Sequence, residues 1–361
     1  MKKATSRDVA KLAGVSQTTV SFILNSTPGV SFSEETRRRV HEAAKQLNYV
    51  PNSFAKGLKT NESKLIGLLV PSMVNPFYPM LTQRIENYSA LKGYNVLLCC
   101  TERLPEREVD YLNLLAEKLV DGIIYTFTPH YLKNAVRLSR QIPIVLIGEK
   151  EEEISLSTLS LNGFKCGALL AQHLLELGHR SIAYVMSPVK SVSYTRQRRL
   201  DGIKSKIQEF GLPEESLKVY TARPVSSDAS DGLFEIDAGY QGAEYLLKNT
   251  DVTAIIGVND MVAVGIVSCI LNDGHYKVPD DISVCGFDNT FLSEMFRPKI
   301  TTIDYCSPYL CKFAVDMLVE SGVGEEGNVL KLENEPHLVV RSSTGPVKAR
   351  SLRPDALKAV F

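Results

Sequence analysis

Apolar residues recur along this chain in two rhythms, and the rhythm changes near residue 64. Val9, Ala10 and Leu12 fall at helical spacing behind Thr5, and Asp8 stands three residues after that threonine. This pairing predicts a capping box and a helix that Gly14 stops. Ser16 caps a second helix with Val20, Ile23 and Leu24 on its apolar side and Asn25 near its end. A third helix starts at Ser33 and runs through "EETRRRVHEAAKQLNY", burying Val40, Ala43, Ala44 and Leu47 before Pro51 closes it. "PNSFAKGLKTNESK", 51–64, is polar and reads as a linker too short to hold a helix alone in water.

Beyond Lys64 short β-rich runs alternate with amphipathic helices. "LIGLLV", "YNVLLCC", "GIIYTF" and "PIVLI" read as strands, with helices near 79–92, 105–118 and 130–140. The alternation restarts after residue 162, with "SIAYVM", "AIIGV" and "ISVCGF" as strands. Helices in this half reach Leu177, cover 195–209 and 237–248, and end at Asn272. Two such series predict an α/β body of two doubly wound parallel-sheet subdomains behind a small all-α head. Ligands in such sheets collect at the carboxyl ends of the strands.

Composition changes the picture in one respect. A chain of 361 residues with 44% hydrophobic and 23% charged residues is an ordinary globular protein of two or three domains. Net charge is zero, yet residues 1–64 carry eleven Lys or Arg against five Asp or Glu, leaving the remainder equally acidic. A basic head on an acidic body predicts a polyanion partner for the head. No run of about 18 apolar residues exists, and the start of the chain has no apolar signal core, so a cytoplasmic protein without membrane contact is expected. Seven cysteines without metal-like spacing are expected to be reduced thiols, and no metal or cofactor is expected.

The head carries the sharper chemistry. Ala10, Gly14, Val20 and Ile23 fall where a helix-turn-helix needs a small contact residue, a left-handed turn and two packing residues. Gln17 and Thr18 then open the helix that enters the major groove, where Gln pairs with adenine and Thr offers a hydroxyl and a methyl. Phe22, one turn on, offers apolar contact alone: it either meets a thymine methyl or packs on its own three-helix core.

"RDVAKLAGVSQTTVSFILN", "SEETRRRVHEAAKQLNYVPN", "NPFYPMLTQRIE", "VDGIIY", "GHRSIAYV", "VNDMVAVGIV", "VPDDISVCGFDN" and "RSSTGP" closely resemble the LacI/GalR family of bacterial transcription regulators. The resemblance covers nearly the whole chain. It implies a helix-turn-helix domain over 1–49, a hinge helix over 50–63, a body of the periplasmic-binding-protein type I over 64–345 and a tail over 346–361. The body's chain would cross between lobes near 162, 290 and 321, giving one lobe of 64–161 with 291–320 and another of 162–290 with 321–345. The implied major-groove residues are Ser16, Gln17, Thr18, Thr19, Phe22 and Asn25, with Phe22 standing where Arg or His is usual. In the hinge, Asn52 would cap a helix whose Ala55, Lys56, Leu58 and Lys59 lie in the minor groove, Leu58 as the unstacking wedge.

The resemblance further implies a small-molecule effector bound between the lobes by Phe77, Tyr78, Arg196, Arg199, Phe234, Asn259 and Asp288. Two cations near a helix N-terminus oppose the helix dipole, so an anionic or polyhydroxylated partner accounts for Arg196 and Arg199; a solvated face accounts for them equally. Gly148 and Leu161 stand where the family often has acids, which favours an effector with acidic or phosphate groups. The expected protein is a homodimeric repressor of a pseudo-palindromic operator in double-stranded DNA, without catalysis. A phosphorylated protein co-regulator, or a solute-binding role without DNA, are the alternatives. No G-x-S-x-G, Walker, H-E-x-x-H or G-x-G-x-x-G signature is present. In the tail, Pro354 among Leu352, Leu357 and Val360 disfavours a tetramerising leucine heptad, so a dimer is expected.

Overall fold

The computed structural model describes residues 4–25, 29–50, 62–149, 155–187, 194–223, 233–320 and 329–348. The hinge positions Asn52, Ala55, Lys56, Leu58 and Lys59 and the tail leucines lie outside the described residues. The chain divides into two compact units, Met1–Ser63 and Lys64–Phe361.

The first unit is three helices, α1 (Ser6–Ala13), α2 (Gln17–Leu24) and α3 (Glu34–Gln46). Thr5 and Asp8 form the reciprocal capping box, and Gly14 ends α1 in the left-handed region at φ 63°. Ser16 and Ser33 cap α2 and α3 by accepting from Thr19 N and Thr36 N. Val9, Ala10, Ala13, Val20, Ile23, Val40, Ala43 and Ala44 make the core. Two details differ from the sequence reading. Leu12 is 48% exposed and packs nothing into that core. The third helix stops at Gln46 because Asn48 takes a left-handed backbone, φ 48°.

The second unit holds two parallel sheets and a small antiparallel pair. The first sheet contains β1 (Leu65–Val70), β2 (Asn95–Cys100), β3 (Gly122–Tyr125), β4 (Ile144–Gly148), β5 (Ser157–Ser160) and β11 (Lys331–Glu333), in the order β11-β5-β4-β3-β1-β2. Helices α4 (Phe77–Leu91), α5 (Pro105–Glu117), α6 (Leu132–Ser139) and α12 (Pro308–Glu320) accompany it. The second sheet runs β7-β6-β8-β9, from β6 (Ile182–Met186), β7 (Leu217–Thr221), β8 (Ala254–Gly257) and β9 (Ser283–Cys285). Around it lie α7 (Gly163–Glu176), α8 (Tyr194–Glu209), α9 (Phe234–Asn249), α10 (Asp260–Asp273) and the short α11 (Phe291–Met295). Every residue of β6 and β8 is buried, as a strand covered on both faces requires. β10 (Thr302–Asp304) pairs antiparallel with β12 (His337–Val339).

The lobe boundaries near 290 and 321 need correction. Thr301 bridges to Cys285 at the edge of the second sheet, and α11 packs on α10, so 291–304 stay with the second lobe. β11, expected in the second lobe, pairs with β5 in the first, Leu332 beside Leu159. The crossings therefore fall near 161, 305 and 334. The reason is register: β11 completes the edge of the six-stranded sheet, a long-range pairing that local hydrophobicity does not encode.

Candidate functional site: a DNA-reading helix and an inter-lobe cleft

In the first unit, the start of α2 is exposed. Ser16 and Thr19 satisfy the helix end, their hydroxyls 2.8 Å apart. Gln17 donates its Nε2 to Ser6 Oγ at 2.8 Å, tying the start of α1 to the start of α2. Thr18 is exposed. Asn25 turns its amide back to Ser21 O at 2.8 Å. Phe22 is half-buried and is neither among the residues of the three-helix core nor among the apolar residues packed on it. Arg7, Lys11 and Arg39 are exposed, the last with its guanidinium above Gly14.

In the second unit, strand order reverses between β1 and β3 and again between β6 and β8. Such reversals leave a crevice outside the carboxyl ends of the strands, and the two crevices face each other. Asn75, Phe77 and Tyr78 follow β1; Thr126 and Phe127 follow β3; Arg196 and Arg199 follow β6; Asn259 follows β8; Asp288 follows β9; Tyr305 stands on a crossing segment. All of them line one cavity of about 60 Å³. Six of the seven expected effector residues are thus brought together. Phe234, the seventh, begins α9 half-buried and is not among the lining residues.

The chemistry of this cleft is a set of neutralised charges. Arg196 is buried and its Nη2 lies 2.6 Å from Glu235 Oε1, while its Nη1 donates to Ser187 Oγ at 2.5 Å. Asn75 donates its Nδ2 to Glu235 Oε2 at 3.0 Å. Burial alone would push the Glu235 carboxyl up, but Arg196 and then Arg103 hold it below the usual carboxylate range. Arg199 lies between the rings of Phe287 and Tyr305, 4.6 and 4.9 Å from their centroids. It donates to Val258 O at 2.6 Å and lies 3.5 Å from Asp288 Oδ1. Its Nε has no partner among the described residues. Asp288 also accepts from the Tyr305 hydroxyl, and its backbone sits at φ 107°, a region costly for any residue with a side chain. Arg196 and Arg199 are therefore not a solvated face.

Two further carboxylates stand at the same rims. Asp260, fully buried, accepts from Thr290 N, Thr290 Oγ1 and Thr302 Oγ1 at 2.7 to 3.0 Å. Burial, and then the charge of Asp288, pushes it up to about 7; burial lifts Asp288 itself to about 6 against the pull of Arg199 and Tyr305. Glu149 accepts from Gly163 N at 2.9 Å, at the start of α7, and burial raises its pKa. Gly148 and Leu161 both line the cavity and Asp288 is the one carboxylate among its lining residues, while the buried Glu149 and Glu235 lie outside that lining. Sequence reading missed Glu149, Glu235, Asn75 and Tyr305. Asn75 stands two residues before Phe77 and Glu235 directly follows Phe234, so nearness in sequence to residues already singled out is the only signal that pointed at them.

A helix-turn-helix unit joined to a two-lobed body with a polar cleft at the facing strand ends defines a ligand-responsive DNA-binding regulator. Residues 5–52 match the lacI family of bacterial regulatory proteins, and 171–344 match a periplasmic binding protein-like domain. The chain is 33% identical over 350 residues to the HTH-type transcriptional regulator DegA of Bacillus subtilis, covering 96% of this chain and 99% of that one. It is 32% identical over 343 residues to the HTH-type transcriptional repressor PurR of Mannheimia succiniciproducens, covering 94% and 98%. Among solved structures, the lac repressor dimer bound to operator and an anti-inducer matches with TM-score 0.77 at 26% identity, covering 95% of this chain and 100% of that one. A LacI-family regulator from Enterococcus faecium with bound ribose matches at TM-score 0.68 and 26% identity, covering 79% of this chain and 100% of that chain. The chain belongs to the LacI family of bacterial regulatory proteins. It is a DNA-binding transcriptional regulator with an effector-binding body. Among the described residues, no helix is long and apolar enough to cross a membrane, and no group of three or more His, Cys, Asp or Glu is placed to hold a metal ion.

Proposed function

We propose that the protein is a cytoplasmic, homodimeric repressor without catalytic activity, which binds a pseudo-palindromic operator and answers to a small neutral polyhydroxylated effector. The observation that carries the effector class is that both arginines lining the cleft already hold carboxylate partners, Arg196 with Glu235 and Arg199 with Asp288. Such a cleft offers donors and acceptors to hydroxyl groups rather than an uncompensated cation to a phosphate. Asn259, Asp288, Thr126 and Tyr305 supply those groups, and Phe77 supplies an apolar face. Ribose in the Enterococcus relative fits the same chemistry.

A cavity of about 60 Å³ is smaller than the roughly 300–1,000 Å³ usual for small-molecule sites. Effector entry therefore requires the lobes or side chains to part, and an effector regulates only by binding the two arrangements unequally. The two-fold operator follows from two identical heads on one dimer. A thermal-melt screen of neutral sugars, sugar acids and sugar phosphates tests the class. A neutral sugar should raise the melting temperature and change affinity for an operator obtained by selection from random DNA. Stabilisation by phosphates alone, or selected sites without two-fold symmetry, would overturn the reading.

A further inference from the structure

Glu235 does not itself line the cavity, but it is held by two residues that do, Arg196 and Asn75. Its side chain is 2% exposed, and its two oxygens face different lobes. Oε1 takes the Arg196 guanidinium at 2.6 Å and the Ser187 hydroxyl at 3.4 Å, both on the second lobe. Oε2 takes the Asn75 amide at 3.0 Å, from the loop after β1 on the first lobe. That amide is fixed in orientation, because Asn75 Oδ1 accepts from Phe77 N at 3.0 Å and leaves Nδ2 pointing at the carboxylate. Arg196, Ser187 and Asn75 are thus three converging donors, all buried, that together fit one carboxylate group. Charge-assisted bonds of this kind are the strong ones, and a guanidinium cannot shed its proton to escape an empty seat.

We propose that Glu235 is a tethered occupant of a carboxylate-binding seat at the wall of the cleft, which links the two lobes and turns away ligands that bring a carboxylate to that seat. This rests on the cleft being the effector site, but the seat is testable without knowing the effector. Glu235→Ala removes a group equivalent to acetate and strands Arg196 as a buried, unpaired charge, which is strongly destabilising. In the full-length protein, acetate should restore much of the lost melting temperature of Glu235→Ala, and do so far more than chloride at equal ionic strength. The same acetate should leave the parent protein unchanged, and Arg196→Ala/Glu235→Ala should not respond. Equal shifts in parent and variant, or rescue of the double variant, would overturn the seat.

Glu235→Gln keeps the shape should the alanine variant fail to fold. It should bind gluconate at least tenfold more tightly than the parent, because the opposing charge is gone, and unchanged gluconate affinity would overturn the selectivity. A sugar screen that fails while acetate rescue succeeds refutes the effector class alone. The reverse pattern refutes the seat alone.

Discussion

Gly167 decides where Arg199 stands, and replacing it should disable the cleft from behind. α7 and α8 cross with their backbones touching: a Cβ on Gly167 would lie 1.9 Å from Arg199 O, and one on Gly202 would lie 1.9 Å from Phe164 O. Real Cβ atoms essentially never come closer than 3.0 Å, so Gly167→Ala must drive the helices apart by at least about 1 Å. The obstructing atoms are backbone, so no side-chain rotation relieves the contact. Overpacking of this kind costs about 1–3 kcal/mol. Arg199 suffers as well, because its 2.6 Å bond to Val258 O would stretch to the limit of a hydrogen bond. Loss of that bond to a buried charge adds roughly 1.5–3 kcal/mol. Calorimetric melting of the full-length protein should show the body's transition lowered by on the order of 5 °C or more. Gly202→Ala should behave alike, and the double variant should cost less than the sum, since one separation relieves both contacts. Effector-induced stabilisation should be lost in all three. Melting within 1 °C of the parent, or strict additivity of the two costs, would refute the reasoning.

Two further outcomes are expected. Phe22→Arg should leave the melting of the head unchanged, because the ring lies outside its core, while shifting base preference at one operator position from thymine toward guanine by about 1–3 kcal/mol; an unchanged preference in a randomised-operator selection would rule out the groove contact. Asp260 and Asp288 have folded pKa values raised above the ordinary aspartate value, to about 7 and about 6, so the native state binds protons more tightly than the unfolded chain. Their contribution is therefore most favourable below the unfolded pKa and is lost as pH rises through 6–7. The difference in melting temperature between the parent and Asp260→Asn should accordingly change between pH 5 and 8, the parent losing more; parallel curves would count against it.

What lay open in the sequence was local. The capping box of Thr5 and Asp8, the glycine stop at Gly14 and the caps at Ser16 and Ser33 involve residues three or four apart, so their chemistry is complete within one turn of chain. The buried strands declared themselves as continuous apolar runs, because a parallel strand covered on both faces leaves no polar position. The two arginines and Asp288 were visible as charges where a strand gives way to a helix or a turn. Their partners were not. Glu235 lies 39 residues from Arg196 and 160 from Asn75, and the seat they share exists only once two lobes close on each other. The place of β11 in the first sheet, the neutral balance of the cleft and the close crossing at Gly167 belong to the same class. A side chain's pattern along the chain records which face is buried; which distant charge it meets there is settled by the packing of whole sheets, where long-range pairing, not local propensity, sets the energy.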